Sequence, residues 1–154
     1  MLLMVVKMLK KKLGAEVIDR EWRYLGSYFK IPSTLIIPDG VKRIGSYAFW
    51  CCRKLEKVVI PGSVELIDDC SFVGSTLVRV VIPEGCKRIG AKVFEYCDKL
   101  EEVVISKSVE WIENYAFYRC EKATIILKKP RKTFKYIGHQ VFKGCKDVKE
   151  ETGT

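Results

Sequence analysis

Five of the seven phenylalanines recur at a near-constant interval. Phe49, Phe72, Phe94, Phe117 and Phe142 are 23, 22, 23 and 25 residues apart. Five residues before each stands an isoleucine: Ile44, Ile67, Ile89, Ile112 and Ile137. Eight before stand Val41, Val64, Cys86, Val109 and Phe134. Three after come Cys52, Ser75, Cys97, Cys120 and Cys145, and Leu55, Leu77, Leu100, Ala123 and Val148 then open the next unit. A period of 20 to 50 residues marks a stacked array, in which each unit is one supersecondary element that cannot bury its faces alone.

One unit points about six apolar side chains inward, each contributing about 1.5–3 kcal/mol when fully buried. Ordering its backbone costs about 1–2 kcal/mol per residue. A single unit loses that balance. Stacking covers both of its flat faces and pairs its strands, so stability becomes a sum over neighbours.

The segments Leu55-Val58-Ile60, Leu77-Val80-Ile82 and Leu100-Val103-Ile105 end in an alternation of period 2, which specifies a strand. Pro38, Pro61 and Pro83 close three of these strands, since proline cannot donate to a ladder. A second short extended piece follows at Val41–Ile44 and its equivalents. The stretch Ile44-Gly45-Ser46-Tyr47-Ala48-Phe49 then turns the chain, with one helical or 3₁₀ turn expected there. Gly45, Gly90 and Gly138 suit a turn that needs φ > 0.

With proline, glycine, Ala-Phe and cysteine in this order, IPxxVxxIGxxAFxxCxxLxxVxIP resembles the Treponema-type or BspA-like leucine-rich repeat over about residues 32–147. The resemblance implies an α/β solenoid with a parallel β-sheet on one face and short strands and helical turns on the other. It also implies a non-catalytic protein-binding module. Relatives of this type are bacterial or protozoan surface proteins, mostly secreted or at the cell surface, that bind other proteins, host matrix components included.

The expected organisation is a cap with a worn half-repeat in residues 1–31, five repeats in 32–147 and a tail in 148–154. The repeats run 32–54, 55–76, 77–99, 100–122 and 123–147. In the cap, Leu25-Gly26-Ser27-Tyr28-Phe29 echoes Ile44–Phe49, and Trp22, Tyr24 and Tyr28 are expected over the end of the core. Met1–Gly14 has its lysines after its apolar run, the wrong order for a secretory signal, and is expected to cover the first coil as an amphipathic segment. No run approaches the length of a membrane span. The fifth repeat carries an insertion around Lys129-Pro130-Arg131-Lys132. A sixth strand barely starts, so the C-terminal edge is expected to be open, and self-association through it is an expected possibility.

The net charge of +9 sits at the ends. Residues 1–31 carry seven Lys/Arg against three Asp/Glu, residues 32–122 thirteen of each, and residues 123–147 seven against one. The basic ends keep open one alternative, binding of nucleic acid or an anionic surface, though no helix, aromatic pair or zinc motif of a nucleic-acid reader accompanies them. A truncated remnant of a larger surface adhesin is the other.

No cofactor, metal site or catalytic constellation is expected. Cys52, Cys97, Cys120 and Cys145 form one column, with Ser75 in the second rung, rather than a Cys-x-x-Cys box. Rungs about 4.8 Å apart with parallel side chains suit a disulfide poorly, because its Cβ atoms must converge to about 3.5–4.5 Å. Buried thiols bonded to nearby carbonyls fit better, which leaves Cys51 and Cys70 as the more exposed thiols. His139 falls at a variable turn position, with Ser46, Asp69, Ala91 and Asn114, and is expected at the surface. Asp68-Asp69 and Glu101-Glu102 are adjacent in sequence and diverge on a strand, so neither makes an acid/base dyad.

The column that suggests binding lies between the inward strand residues: Ile36, Val59, Val81, Val104 and Ile126. Lys57, Arg79 and Glu102 flank it. Branched residues in such a column also satisfy strand packing alone. As an exposed stripe with charged flanks, however, it is the expected docking surface for a protein partner.

Overall fold

The computed structural model describes the strand Val17–Ile18 and residues 33–153. Its strands are β1 (Val17–Ile18), β2 (Thr34–Ile36), β3 (Arg43–Ile44), β4 (Lys57–Val59), β5 (Leu66–Ile67), β6 (Arg79–Ile82), β7 (Arg88–Ile89), β8 (Glu102–Ile105), β9 (Trp111–Ile112), β10 (Thr124–Leu127), β11 (Tyr136–Ile137) and β12 (Asp147–Glu150). The even-numbered strands form one six-stranded sheet and the odd-numbered strands another. Among the described residues every strand pairing is parallel, between one coil and the next. The chain is a solenoid with two sheet faces joined by turns.

Alternation explains the longer strands. In β6, Val80 and Ile82 are buried while Arg79 and Val81 are exposed, and β8 and β10 repeat the pattern. The second sheet makes do with two-residue strands, each placing one isoleucine inward: Ile44, Ile67, Ile89 and Ile112 are fully buried. Between the sheets the phenylalanines form a column. Phe49, Phe72, Phe94 and Phe117 stack with centroids 5.1, 5.4 and 5.3 Å apart, and Phe142 follows at 6.0 Å. Phe142 and Ile137, in the last coil, are only partly buried.

Among the described residues the third side carries no helical turn, contrary to the expectation for Ile44–Phe49 and its equivalents. Backbone groups alternate instead between two partners. Tyr47, Phe49 and Cys51 donate to Asp69, Ser71 and Val73 of the next coil, while Ala48, Trp50 and Cys52 donate back to Gly45, Tyr47 and Phe49. The six successive N–H groups from Tyr47 to Cys52 are thereby all used. Such alternation needs left-handed residues at two points per coil. Tyr47, Cys70, Lys92, Tyr115 and Gln140 occupy the first, and Cys51, Gly74, Tyr96, Arg119 and Gly144 the second, all with positive φ.

Gly45, Gly90 and Gly138 are not among the positive-φ residues. The reason for glycine at two of them is close approach. A Cβ on Gly90 would stand 2.7 Å from the Asp69 nitrogen, and one on Gly138 2.6 Å from that of Asn114. The insertion after Lys128 forms the only 3₁₀ turn among the described residues, Arg131–Thr133.

Two further expectations change. Residues 148–150, read as tail, belong to β12, which pairs with β10 from Thr124↔Asp147 to Leu127↔Glu150. At the other end β1 aligns Ile18 with Ile44, so Ile18 rather than Leu25 takes that register position. The segments Met1–Gly14 and 19–32, with Trp22, Tyr24 and Tyr28, lie outside the described residues.

Candidate functional site

On the outer face of the first sheet, register brings Ile36 beside Val59, Val81 beside Val104, Val104 beside Ile126, and Ile126 beside Lys149. Ile36, Val59 and Val81 are 48, 41 and 41% exposed. Val104 and Ile126 are half-buried. The row is therefore an apolar stripe that grows more sheltered toward β10 and ends on a lysine. At that end Glu102, Thr124, Ile126 and Lys149 help line a shallow, mixed-charge depression.

The flanking row holds Lys57, Arg79 and Glu102, with Lys57 aligned on Arg79 and Arg79 on Glu102. Arg79 Nε donates to Glu102 Oε1 at 2.5 Å. Lys57 remains exposed at the edge of the apolar stripe. Side chains of this length have their own rotamer freedom to lose, so the exposed pair adds orientation more than stability. The proline that closes each early strand borders the stripe on its other side, with Pro61 and Pro83 half-buried.

Behind this face the cysteine column is set among backbone carbonyls. Cys97, Cys120 and Cys145 Sγ donate to the carbonyls of Phe72, Phe94 and Phe117 at 3.3, 3.0 and 3.2 Å. Ser75 Oγ lies 3.4 Å from Cys97 Sγ. Hydrogen bonding to Cys145 and Cys97, then burial, raises the Cys120 pKa and keeps the thiol protonated. Burial pushes the Cys86 thiol up to about 12. Cys51, Cys70, Cys86, Cys97, Cys120 and Cys145 form no disulfide. A buried thiol of this kind is a poor nucleophile, because reactivity follows the thiolate.

The other candidate chemistry is dispersed. His139 is exposed; its backbone N–H donates to Asn114 Oδ1 at 2.7 Å and its ring stands edge-on to Tyr115. Asp68 is buried against Arg43, whereas Asp69 accepts the Ala91 N–H at 2.8 Å. No group of three or more His, Cys, Asp or Glu side chains is arranged to hold a metal among the described residues. No helix there is long and apolar enough to cross a membrane.

The basic run after β10 is largely engaged. Lys128 pairs with Glu151, Lys129 lies 4.3 Å from the Phe134 ring centroid, and Arg131 lies 5.3 Å from that of Phe142. Lys135 pairs with Glu110 at 2.8 Å. Cations held over rings and carboxylates offer less charge to a phosphate backbone than the sequence count suggests.

Sequence patterning missed a second outward row, on the other sheet: Leu66, Arg88, Trp111 and Tyr136. A two-residue strand shows no alternation, so period 2 could not reveal it. The available signal was position, one residue before each core isoleucine.

Two parallel sheets closed by laddered turns define a repeat solenoid. The chain matches the BspA type leucine rich repeat region over residues 27–149, in six copies, and belongs to that family. It is similar to a leucine rich cell surface protein of Faecalibacterium prausnitzii A2-165, at 31% identity and a TM-score of 0.63, covering 77% of this chain and 32% of that one. It is also similar to the pneumococcal vaccine antigen PcpA, at 26% identity and 0.64, covering 79 and 31%. The Treponema pallidum leucine rich repeat protein shares the fold at 23% identity and 0.57, over 75 and 59%. The chain spans about a third of the length of the first two. No curated protein matches it.

Proposed function

We propose that this chain is a non-catalytic binding module that docks a protein partner on the outer face of its first sheet. The observation that carries this reading is the run Ile36, Val59 and Val81, three exposed, branched apolar side chains on the neighbouring strands β2, β4 and β6. A flat, hydrogen-bonded platform of this kind is pre-organised, so docking costs little ordering entropy. Contiguous exposed apolar surface rimmed by charge is the usual mark of an interaction site. The F. prausnitzii relative is a cell surface protein, and a partner met at a cell surface is the class this reading favours.

Val81→Lys tests it. Val81 points outward between the buried Val80 and Ile82, so the change leaves the core intact and should alter stability by less than about 1 kcal/mol. Cross-linking and pull-down of extracellular protein fractions should recover a partner with the native chain and lose it with the variant, since the new charge would lie unpaired in the contact. Unfolding of the variant would show that the row is structural. A folded variant that keeps its partner would place the contact elsewhere.

A further inference from the structure

The outer face of the second sheet holds a cluster that the docking of a protein on the first sheet leaves unused. Trp111 stands half-buried in the row Leu66, Arg88, Trp111, Tyr136. On the β11 side the Lys135 Nζ lies 4.7 Å from its ring centroid. Toward β7 and β5 it joins Leu66, Lys87, Arg88 and Glu113 in lining a shallow cavity.

The cavity carries more positive than negative charge. Arg88 Nε meets Glu113 at 3.0 Å and Lys135 Nζ meets Glu110 at 2.8 Å. Lys87 and Lys129 add to the field on Glu110, whose carboxyl is held below its usual range first by the Lys135 hydrogen bond. Burial lowers the Lys129 ammonium; Glu110 and Glu84 pull it back up, while Lys135 and Lys87 lower it further. Around the indole, Lys87, Arg88 and Lys135 thus share Glu113 and Glu110.

That mixture selects a ligand chemistry. A phosphate chain would gain from the cations but meet Glu110 and Glu113 as like charges. A neutral sugar would stack on the indole and give its hydroxyls to the carboxylates, leaving the surplus cations unused. A ring with an apolar face, a hydroxyl rim and one anionic group uses all three features: aromatic platform, carboxylate acceptors and charge-assisted donors. We propose that this face binds acidic carbohydrate, with a uronate-type ring against Trp111 and its carboxylate near Lys87 and Arg88.

The test is calorimetry of the native chain with galacturonate, oligogalacturonate, neutral dextran and single-stranded DNA. Binding of a galacturonate species with dextran and DNA inert is expected, together with a shift of the Trp111 indole N–H resonance. Monomer and oligomer arms separate a free acidic sugar from a polysaccharide as its source. Trp111→Thr retains strand preference and should weaken binding about tenfold or more; Lys87→Glu, on an exposed residue, should weaken it comparably with an unchanged melting midpoint. Val81→Lys should leave it unaltered, which separates this site from the protein-docking face. Absence of uronate binding, equal binding of DNA, or full binding by folded Lys87→Glu would overturn the proposal.

Discussion

Truncating Phe94 to alanine probes the phenylalanine column where it is best defined. Phe94 is fully buried, with Phe72 and Phe117 at 5.4 and 5.3 Å and their planes within 5 and 9° of its own. Loss of a buried Phe ring typically costs about 3–5 kcal/mol, transfer and cavity together. Both neighbours belong to other coils, so the cavity cannot close without shifting the sheets that hold them. The end of the column gives an internal control. Phe142 is half-buried and has one phenylalanine neighbour, at 6.0 Å, with Arg131 at its ring. Phe142→Ala should therefore cost about half as much, near 2 kcal/mol. Urea unfolding with a common slope reads both values. In thermal melts Phe94→Ala should lower the midpoint by about 6–20 °C, at roughly 2–4 °C per kcal/mol for a chain of this size. A Phe94→Ala cost below about 1 kcal/mol, or one equal to that of Phe142→Ala, would refute a graded, neighbour-supported column.

Three further outcomes can be checked on the same material. Ser71 Oγ is buried without a hydrogen-bond partner, and Ala48 and Ala116 hold the equivalent place in their coils; Ser71→Ala should gain about 1 kcal/mol, and a lower urea midpoint would contradict this. Gly138→Ala should lose about 1–3 kcal/mol because the new methyl meets the Asn114 backbone, so an unchanged midpoint would remove close approach as the reason for that glycine. Brief alkylation of the native chain should label Cys51 first and Cys70 next, leaving Cys97 and Cys120 unmodified by mass spectrometry; a Cys97–Cys120 disulfide would rule out the thiol ladder.

What the sequence showed depends on how many residues share each constraint. The first sheet was legible because β6, β8 and β10 are four residues long and alternate in burial. The stripe from Ile36 to Ile126 was legible for the same reason. The second sheet appeared only as extended pieces, since one inward isoleucine per strand carries no period. The turns were misread because left-handed backbone is usually signalled by glycine, and here Gly74 and Gly144 share their column with Cys51, Tyr96 and Arg119. A ladder of neighbouring coils imposes that conformation, and one coil read alone cannot show it. Two of the glycines that were noticed, Gly90 and Gly138, answer to packing against Asp69 and Asn114 instead. β12 was read only as a strand that barely starts, because Asp147 and Lys149 are charged and Glu150, in register with the buried Leu127, is charged and exposed as well, which leaves Val148 alone facing the core side.

The neighbour-to-neighbour register has a mechanical consequence. Each strand is bonded only to the coils directly before and after it in sheet order, so tension applied along the chain would fall on the outermost rung rather than spread through the molecule. One coil of 22–25 residues releases about 75–85 Å of contour when drawn straight, yet it occupies about 4.8 Å of the stack. Under load the array would pay out chain in coil-sized steps while the remaining rungs stay closed, yielding length at nearly constant force between two anchored surfaces.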